Sequence, residues 1–331
     1  MLIAGFRWFE FPCGVGVLVG FEVLSETLYR VIGSIYRYVD DLVVLEYPRS
    51  LHRRSIDVAT RLKDGRLTLL KIADDVKSLS KQDVRELRDI ASALGSGALV
   101  IANFTGGLEL VDEVAYDVCG VKAVNVNTLE KVLSGEANVY IYQSGDMFKV
   151  RIDGEAMKRR RIEKRLSLGE LAQRIRVSRR TVYEYERGYI EPTIDKAEKL
   201  VELLGGDVLA SVDLFEHLEA GKQSTDIAFD SREEEELARK LSEMNFRVVH
   251  AKKTAVDIVG SRADKKVLLV VRHGRESLEG LKLKSINSRR LARISNTESY
   301  VVVDDKMVKK DLEGEGVEAY TKSEVVELFN S

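Results

Sequence analysis

A chain of 331 residues with 44% apolar content is long enough for two or three packed domains, which excludes wholesale disorder. Charged residues reach 32% but nearly cancel to a net of −2, so overall charge selects no class of partner and its local distribution has to decide. Two cysteines, Cys13 and Cys119, exclude a disulfide framework, and the scattered His52, His217, His250 and His273 give no metal-ligand spacing, so neither a metal nor a cofactor is expected.

The first 23 residues are Gly-rich and aromatic; they read as an edge strand or a non-native extension. Residues 25–38 repeat apolar positions at helical spacing, and a strand-like run follows at 42–47. Residues 55–62 and 67–73, around Lys63-Asp64-Gly65, form a hairpin by their turn chemistry. An amphipathic helix is predicted over 81–94, closed by Gly95, and then a strand at 98–102. Segment 108–133 reads as helix, short strand, helix, and 139–152 as two strands about a Ser-Gly-Asp turn. A helical block runs from Gly154 to about Leu209; residues 216–231 are polar and linker-like, and a second α/β domain fills the rest. The two α/β halves repeat at an offset close to 200: Ile56-Asp57-Val58 answers to Val256-Asp257-Ile258, helix 81–94 to 281–293, and strand 98–102 to 300–304. No apolar run reaches membrane-spanning length, so a cytoplasmic chain with no membrane partner is expected.

The helical block carries the chemistry. Ser167 can cap a helix with the apolar stripe Leu168, Leu171, Ala172 and Ile175. Val177 turns the chain, and Ser178 caps a second helix that ends at Gly188. On this second helix Val182 and Tyr185 should face the core, leaving Arg179, Arg180, Tyr183, Glu184 and Arg187 outward, where a major groove could receive them. A third helix, 194–206, should bury Ile194, Ala197, Leu200, Val201 and Leu204. From Glu155 to Glu191 there are eleven Lys/Arg against six Asp/Glu, a local excess that attracts a phosphate backbone.

This block, SLGELAQRIRVSRRTVYEYERGYIEPT with its flanking helices, resembles the Cro/lambda-repressor-like helix-turn-helix domain. The resemblance implies base contacts from Arg179, Arg180 and Glu184, phosphate or capping contacts from Ser178, Thr181 and Arg187, and an ion pair between Arg161 and Glu186; Ser167 and Tyr183 complete the expected DNA-binding residues. Two residues depart from the pattern: Arg176 stands where the turn usually has glycine, at about 1 kcal/mol of strain if left-handed, and Leu168 stands where a phosphate-binding glutamine is common.

Each α/β half resembles a restriction-endonuclease-like core, whose active members hold Mg²⁺ with an early Asp and with a Glu two residues before a Lys on the next strand. Here Asp57 and Asp257 fill the first place, Leu69 and Leu269 the second, Lys71 and Val271 the third, so both halves are expected to be catalytically silent and the chain no enzyme. The fold class expected is multidomain α/β plus all-α, with two restriction-endonuclease-like α/β domains flanking a central lambda-repressor-like helical domain. Boundaries fall at 24–135 for the first half, 136–153 for a hairpin connector, 154–212 for the helical domain, 213–231 for a linker and 232–331 for the second half. Together with FKVRIDGE before the helix-turn-helix, the arrangement is similar to the archaeal HTH-type transcriptional regulatory proteins. The expected partners are double-stranded DNA, a second copy of the chain in a homodimer paired through the α/β domains, and an unknown effector. The alternatives are a divergent Mg-dependent nuclease targeted by the helix-turn-helix, and a protein–protein adaptor.

Overall fold

The computed structural model describes residues 2–3, 6–10, 16–20, 26–218, 229–263, 265–272, 274, 276–304, 306–314 and 316–330. Cys13, His273 and linker residues 219–228 therefore lie outside the described residues. Instead of one edge strand, the N-terminal segment supplies a three-stranded antiparallel sheet, β1 (Leu2–Ile3), β2 (Phe6–Glu10) and β3 (Gly16–Gly20).

The first α/β half follows in the order α1 (Glu26–Ile35), β4 (Val39–Val44), β5 (Val58–Leu62), β6 (Leu67–Ile72), α2 (Lys81–Leu94) and β7 (Gly97–Ile101). Helix α2 starts and stops where expected because both ends are capped. Ser80 and Asp83 form a reciprocal capping box, worth on the order of 1 kcal/mol, and Gly95 closes the helix at φ +62°. The helix expected from residue 108 is absent. In its place are a short ribbon of β8 (Phe104–Thr105) and β9 (Leu108–Glu109) and an antiparallel pair, β10 (Val114–Val118) and β11 (Val121–Val124). In β10 Val114 and Tyr116 enter one core and Ala115 between them the other, so this strand is buried on both faces. Helix α3 (Val126–Ser134) and the hairpin β12 (Ile141–Ser144) and β13 (Met147–Val150) complete an eight-stranded sheet ordered β13-β12-β10-β11-β7-β6-β5-β4. The run expected at 42–47 is a strand only to Val44, although Leu45 and Glu46 remain buried.

The central helices are α4 (Gly154–Glu163), α5 (Leu168–Ile175), α6 (Arg179–Glu186) and α7 (Ile194–Leu204). The chain then returns to the first half, where Val212, Leu214 and Phe215 join its core, so the segment from 213 begins as packed structure rather than linker. The second half comprises α8 (Arg232–Glu243), β14 (Arg247–His250), β15 (Ile258–Ser261), β16 (Lys266–Val271), α9 (Leu278–Ser295), β17 (Glu298–Val303), α10 (Lys306–Gly314), β18 (Ala319–Thr321) and α11 (Lys322–Asn330).

Strands β14-β15-β16-β17-β18 pair antiparallel, antiparallel, parallel and parallel, as β4-β5-β6-β7-β11 do in the first half. The register corrects the expected correspondence. Val58 pairs with Leu70, but Ile258 pairs with Leu269, because the second hairpin loop is one residue shorter. Lys71 therefore corresponds to Val270 rather than Val271, and Leu69 to Leu268 rather than Leu269, since a one-residue slip in a strand exchanges its faces.

The halves pack face to face over one shared core, in which Leu45, Leu69, Leu87 and Val100 of the first meet Val249, Val259, Leu268 and Leu291 of the second. The contact is reciprocal. The amide of Lys252 donates to Glu86 on α2 at 3.0 Å, and the amide of Glu46 donates to Asn287 on α9 at 2.7 Å. One residue further along, Lys253 pairs with Asp83, while the ammonium of Lys284 lies 5.6 Å from the ring centre of Tyr47. The same surface patch is used twice, as in an isologous dimer, but within one chain.

Candidate nucleic-acid interface

The helix-turn-helix is built from its caps inward. Ser167 accepts from the amide of Glu170, whose carboxylate accepts in return from the Ser167 amide at 2.7 Å; this hydrogen bond holds the Glu170 carboxyl below its usual range. The Ser-x-x-Glu spacing was the available signal for this capping box. Arg176 adopts φ 59° and ψ 56°, so the turn position that usually holds glycine is left-handed here as well. Ser178 then caps α6 through the amide of Thr181 at 3.0 Å, and its hydroxyl also meets the Thr181 hydroxyl at 2.8 Å.

Leu171, Ala172, Ile175, Val182 and Tyr185 are buried together, with Met157 from α4 and Leu200 and Leu204 from α7. The first turn of α4 lies so close to the end of α6 that a Cβ on Gly154 would stand 2.5 Å from the carbonyl oxygen of Glu186. Arg161 spans the same junction, its guanidinium meeting Glu186 at 2.6 and 3.1 Å and the carbonyl of Leu166 at 2.9 Å. Both partners are largely buried, as the ion-pair expectation required. Ile194 departs from expectation, being 36% exposed, because as the first residue of α7 it stands outside the contact with α5.

With its back buried, α6 leaves its front free. Ser167, Ser178, Arg179, Arg180, Tyr183 and Arg187 are exposed, and Thr181 and Glu184 are half-buried. Arg180 reaches Glu184 one turn on at 2.8 Å. Arg187 lies between two rings, 5.7 Å from the centre of Tyr183 and 5.9 Å from that of Tyr189. Tyr189 and Ile190, both exposed, extend this surface beyond the residues picked out from the sequence. Arg174 and Arg176 add exposed positive charge beside it. The module is held to the α/β body through β13, whose Val150 amide donates to the carbonyl of Pro192 at 2.9 Å.

The first half holds a second polar cluster. Asp57 is fully buried, with one carboxylate oxygen accepting from the Ile72 amide at 2.7 Å and lying 3.1 Å from the Lys71 ammonium. Burial pushes the Asp57 carboxyl up, against the opposing pull of Lys71. Its other oxygen has no hydrogen-bond partner. Buried Arg54 donates to the carbonyls of Leu45, Pro48 and Arg49 and adds a second positive charge near Asp57, while Lys71 also donates to the carbonyl of Leu51. In the second half Asp257 keeps the matching amide bond, from Val271 at 2.7 Å, but its ammonium comes from Lys284 on α9 at 2.6 Å. The sequence repeat concealed this exchange, because the lysine moved from a strand to a helix.

Family models match two parts of the chain. Residues 157–209 match the helix-turn-helix family, and residues 25–138 match the PD-(D/E)XK superfamily domain. The chain is 38% identical over 311 residues to a protein of Aeropyrum pernix described as an HTH-type transcriptional regulatory protein, covering 92% of each. The chain belongs to the HTH-type transcriptional regulatory proteins of archaea. Further relatives of this regulator are found in Saccharolobus solfataricus, at 26% identity over 93% of the chain and 96% of the relative, and in Saccharolobus islandicus, at 25% identity with the same coverage. No solved structure matches it.

The PD-(D/E)XK match overturns the expectation that this regulator is no enzyme, since it assigns the first half to a nuclease superfamily and points to nuclease activity. The pocket as folded does not fit a divalent ion, however. It offers the single carboxylate of Asp57, a leucine at position 69, and the positive groups of Lys71 and Arg54 close by. Outside that pocket, Asp230, Glu234 and His250 bring ligand atoms within 4.8 Å of one another, a grouping the sequence separation hid. His250 Nε2 is already hydrogen-bonded to Glu234 at 2.9 Å, and Lys252 pairs with Asp230.

Proposed function

We propose that this regulator binds duplex DNA sequence-specifically by laying α6 into the major groove. Arg179, Arg180 and Glu184 would read base edges, while Ser167, Ser178, Thr181, Tyr183 and Arg187 position the helix on the backbone. The observation that carries this reading is the contrast across one helix: Val182 is fully buried while Arg179, Arg180, Tyr183 and Arg187 stand in solvent. We further propose that it acts in the cytoplasm; among the described residues no helix is long and apolar enough to cross a membrane. Two chains would bind as a homodimer on a palindromic site, because one such module buries little surface on a half-site. The face joining the two α/β halves is already occupied within the chain, so that dimer uses another surface. The matching strand order and the paired Asp57 and Asp257 favour a duplicated nuclease-like unit as the source of both halves. Selection from a random duplex library with the purified protein tests the reading. An enriched motif with two inverted half-sites is expected; recovery of unselected sequence would contradict it.

A second reading is nuclease activity, favoured by the Asp57–Lys71 pair within the matched superfamily domain. Although the site as folded offers a divalent ion only the single carboxylate of Asp57, this reading predicts that incubation of duplex, branched and single-stranded DNA with Mg²⁺ or Mn²⁺ gives cleavage that Asp57→Asn abolishes. Cleavage retained by that variant would place the activity elsewhere, and no cleavage of any substrate would dispose of this reading.

A further inference from the structure

A cavity of about 420 Å³ lies where the helix-turn-helix joins the α/β body. Its wall includes Asn138 and Val139, which lead from α3 into β12, and the segment 211–215, by which the chain leaves the module. These two segments form a neck and are bonded to each other, the Val212 amide donating to the carbonyl of Val139 at 2.6 Å. The bonding continues into the module, from Ala210 to the carbonyl of Arg151 at 3.0 Å and from Asp153, the cap of α4, to that of Val208 at 2.8 Å. The opposite wall is the turn between β5 and β6, with Lys63 and Arg66, and the end of α3, with Leu133.

We propose that this cavity binds a small aromatic acid, and that its occupancy sets how the helix-turn-helix is held for DNA. The regulatory half of the proposal rests on the DNA-binding reading above; the binding half does not. The size is that of a small-molecule site. Leu133 and Val139 give an apolar wall, and the half-buried Arg66 guanidinium, 5.6 Å from the ring centre of Phe215, offers a planar face on which an aromatic ring can stack. Asp64 and Asp213, each 2.7 Å from Arg66, more than offset that cation, and with Lys63 the charges of the lining balance. Exposed Lys63 at the rim is then the group that selects an anionic substituent. A ligand lodged between the turn and the neck contacts both, so its affinity depends on the angle of the neck. By reciprocity that angle responds to the ligand and changes the affinity for DNA.

The test uses the full-length protein and 8-anilinonaphthalene-1-sulfonate, an aromatic anion that fluoresces in apolar surroundings. Saturable enhancement is expected with the folded wild type, lost in Leu133→Trp, which fills the cavity, and weakened severalfold in Lys63→Glu, which lies on an exposed turn. Circular dichroism and melting of both variants check that they are folded. Enhancement that fails to saturate, or that is the same in both folded variants, overturns the site. DNA affinity is then measured with and without saturating probe, and should change by about fivefold or more in wild type and not in Leu133→Trp. Saturable probe binding with unchanged DNA affinity overturns the regulatory role. Failure of the DNA reading itself would show separately, as absence of a preferred sequence without probe.

Discussion

At the scale of single residues, the helix-turn-helix depends on one buried charge pair. Arg161 fastens α4 to the end of α6 through Glu186, and the guanidinium also satisfies the carbonyl of Leu166. Removing one partner strands the other in a site with little access to water. Glu186→Ala should therefore destabilise the module by about 3–5 kcal/mol, read as a fall in melting temperature. Replacing both residues with apolar ones should cost much less than the single change. A single variant that melts like wild type would mean the pair contributes nothing to holding α6. This pair was legible in the sequence, because the resemblance assigns both positions. Lys284 was not, since only the fold brings a helix residue to the Asp257 carboxylate that a strand residue serves in the other half.

Among the elements, those with caps were the most legible. Helices α2, α5 and α6 begin at serines that accept from the third amide on, and sequence alone placed them well. Residues 108–118 misled because Leu, Val and Ala satisfy helical spacing as readily as strand alternation over so short a run. The decision came from pairing with neighbours, β10 lying between β11 and β12. Capping also gives the helices a pH signature. Asp195, in the first turn of α7, is held down to about 2 from 3.8 by the Lys196 ammonium and the Thr193 hydroxyl, and Glu170 is lowered from 4.5 by the Ser167 amide. A depressed carboxyl contributes stability that is fully present above its unfolded value and is lost as pH falls through its folded value. The melting gap between wild type and a Glu170→Gln, Asp195→Asn variant should be constant above pH 4.5 and close as pH falls towards 2. A gap that persists at the acid end would show that these carboxylates do not act through their charge.

Across the whole molecule, the two α/β halves hide each other's surfaces, and the helix-turn-helix projects from one end of the larger sheet. The repeat in the sequence revealed that two similar halves exist; it could not reveal that they form a pair, which depends on contacts between residues some 170 to 240 positions apart. Glu86 is central to that pairing, accepting from the amides of Lys252 and Lys253 and from the Ser55 hydroxyl. Glu86→Ala leaves the part-buried amides of Lys252 and Lys253 without this acceptor, at a cost of about 1–3 kcal/mol. Faster amide exchange at 252–253 together with a lower melting temperature is expected. Unchanged exchange there would mean the halves are held by the apolar core alone.

The most direct measurement compares affinities for a selected site and for unrelated duplex DNA, at one salt concentration, in wild type, Arg179→Ala and Arg180→Ala. Each variant should lose about 1–3 kcal/mol on the selected site and much less on unrelated sequence, while melting as wild type does. Undiminished preference for the selected site in both folded variants would contradict the assignment of α6 as the reading helix.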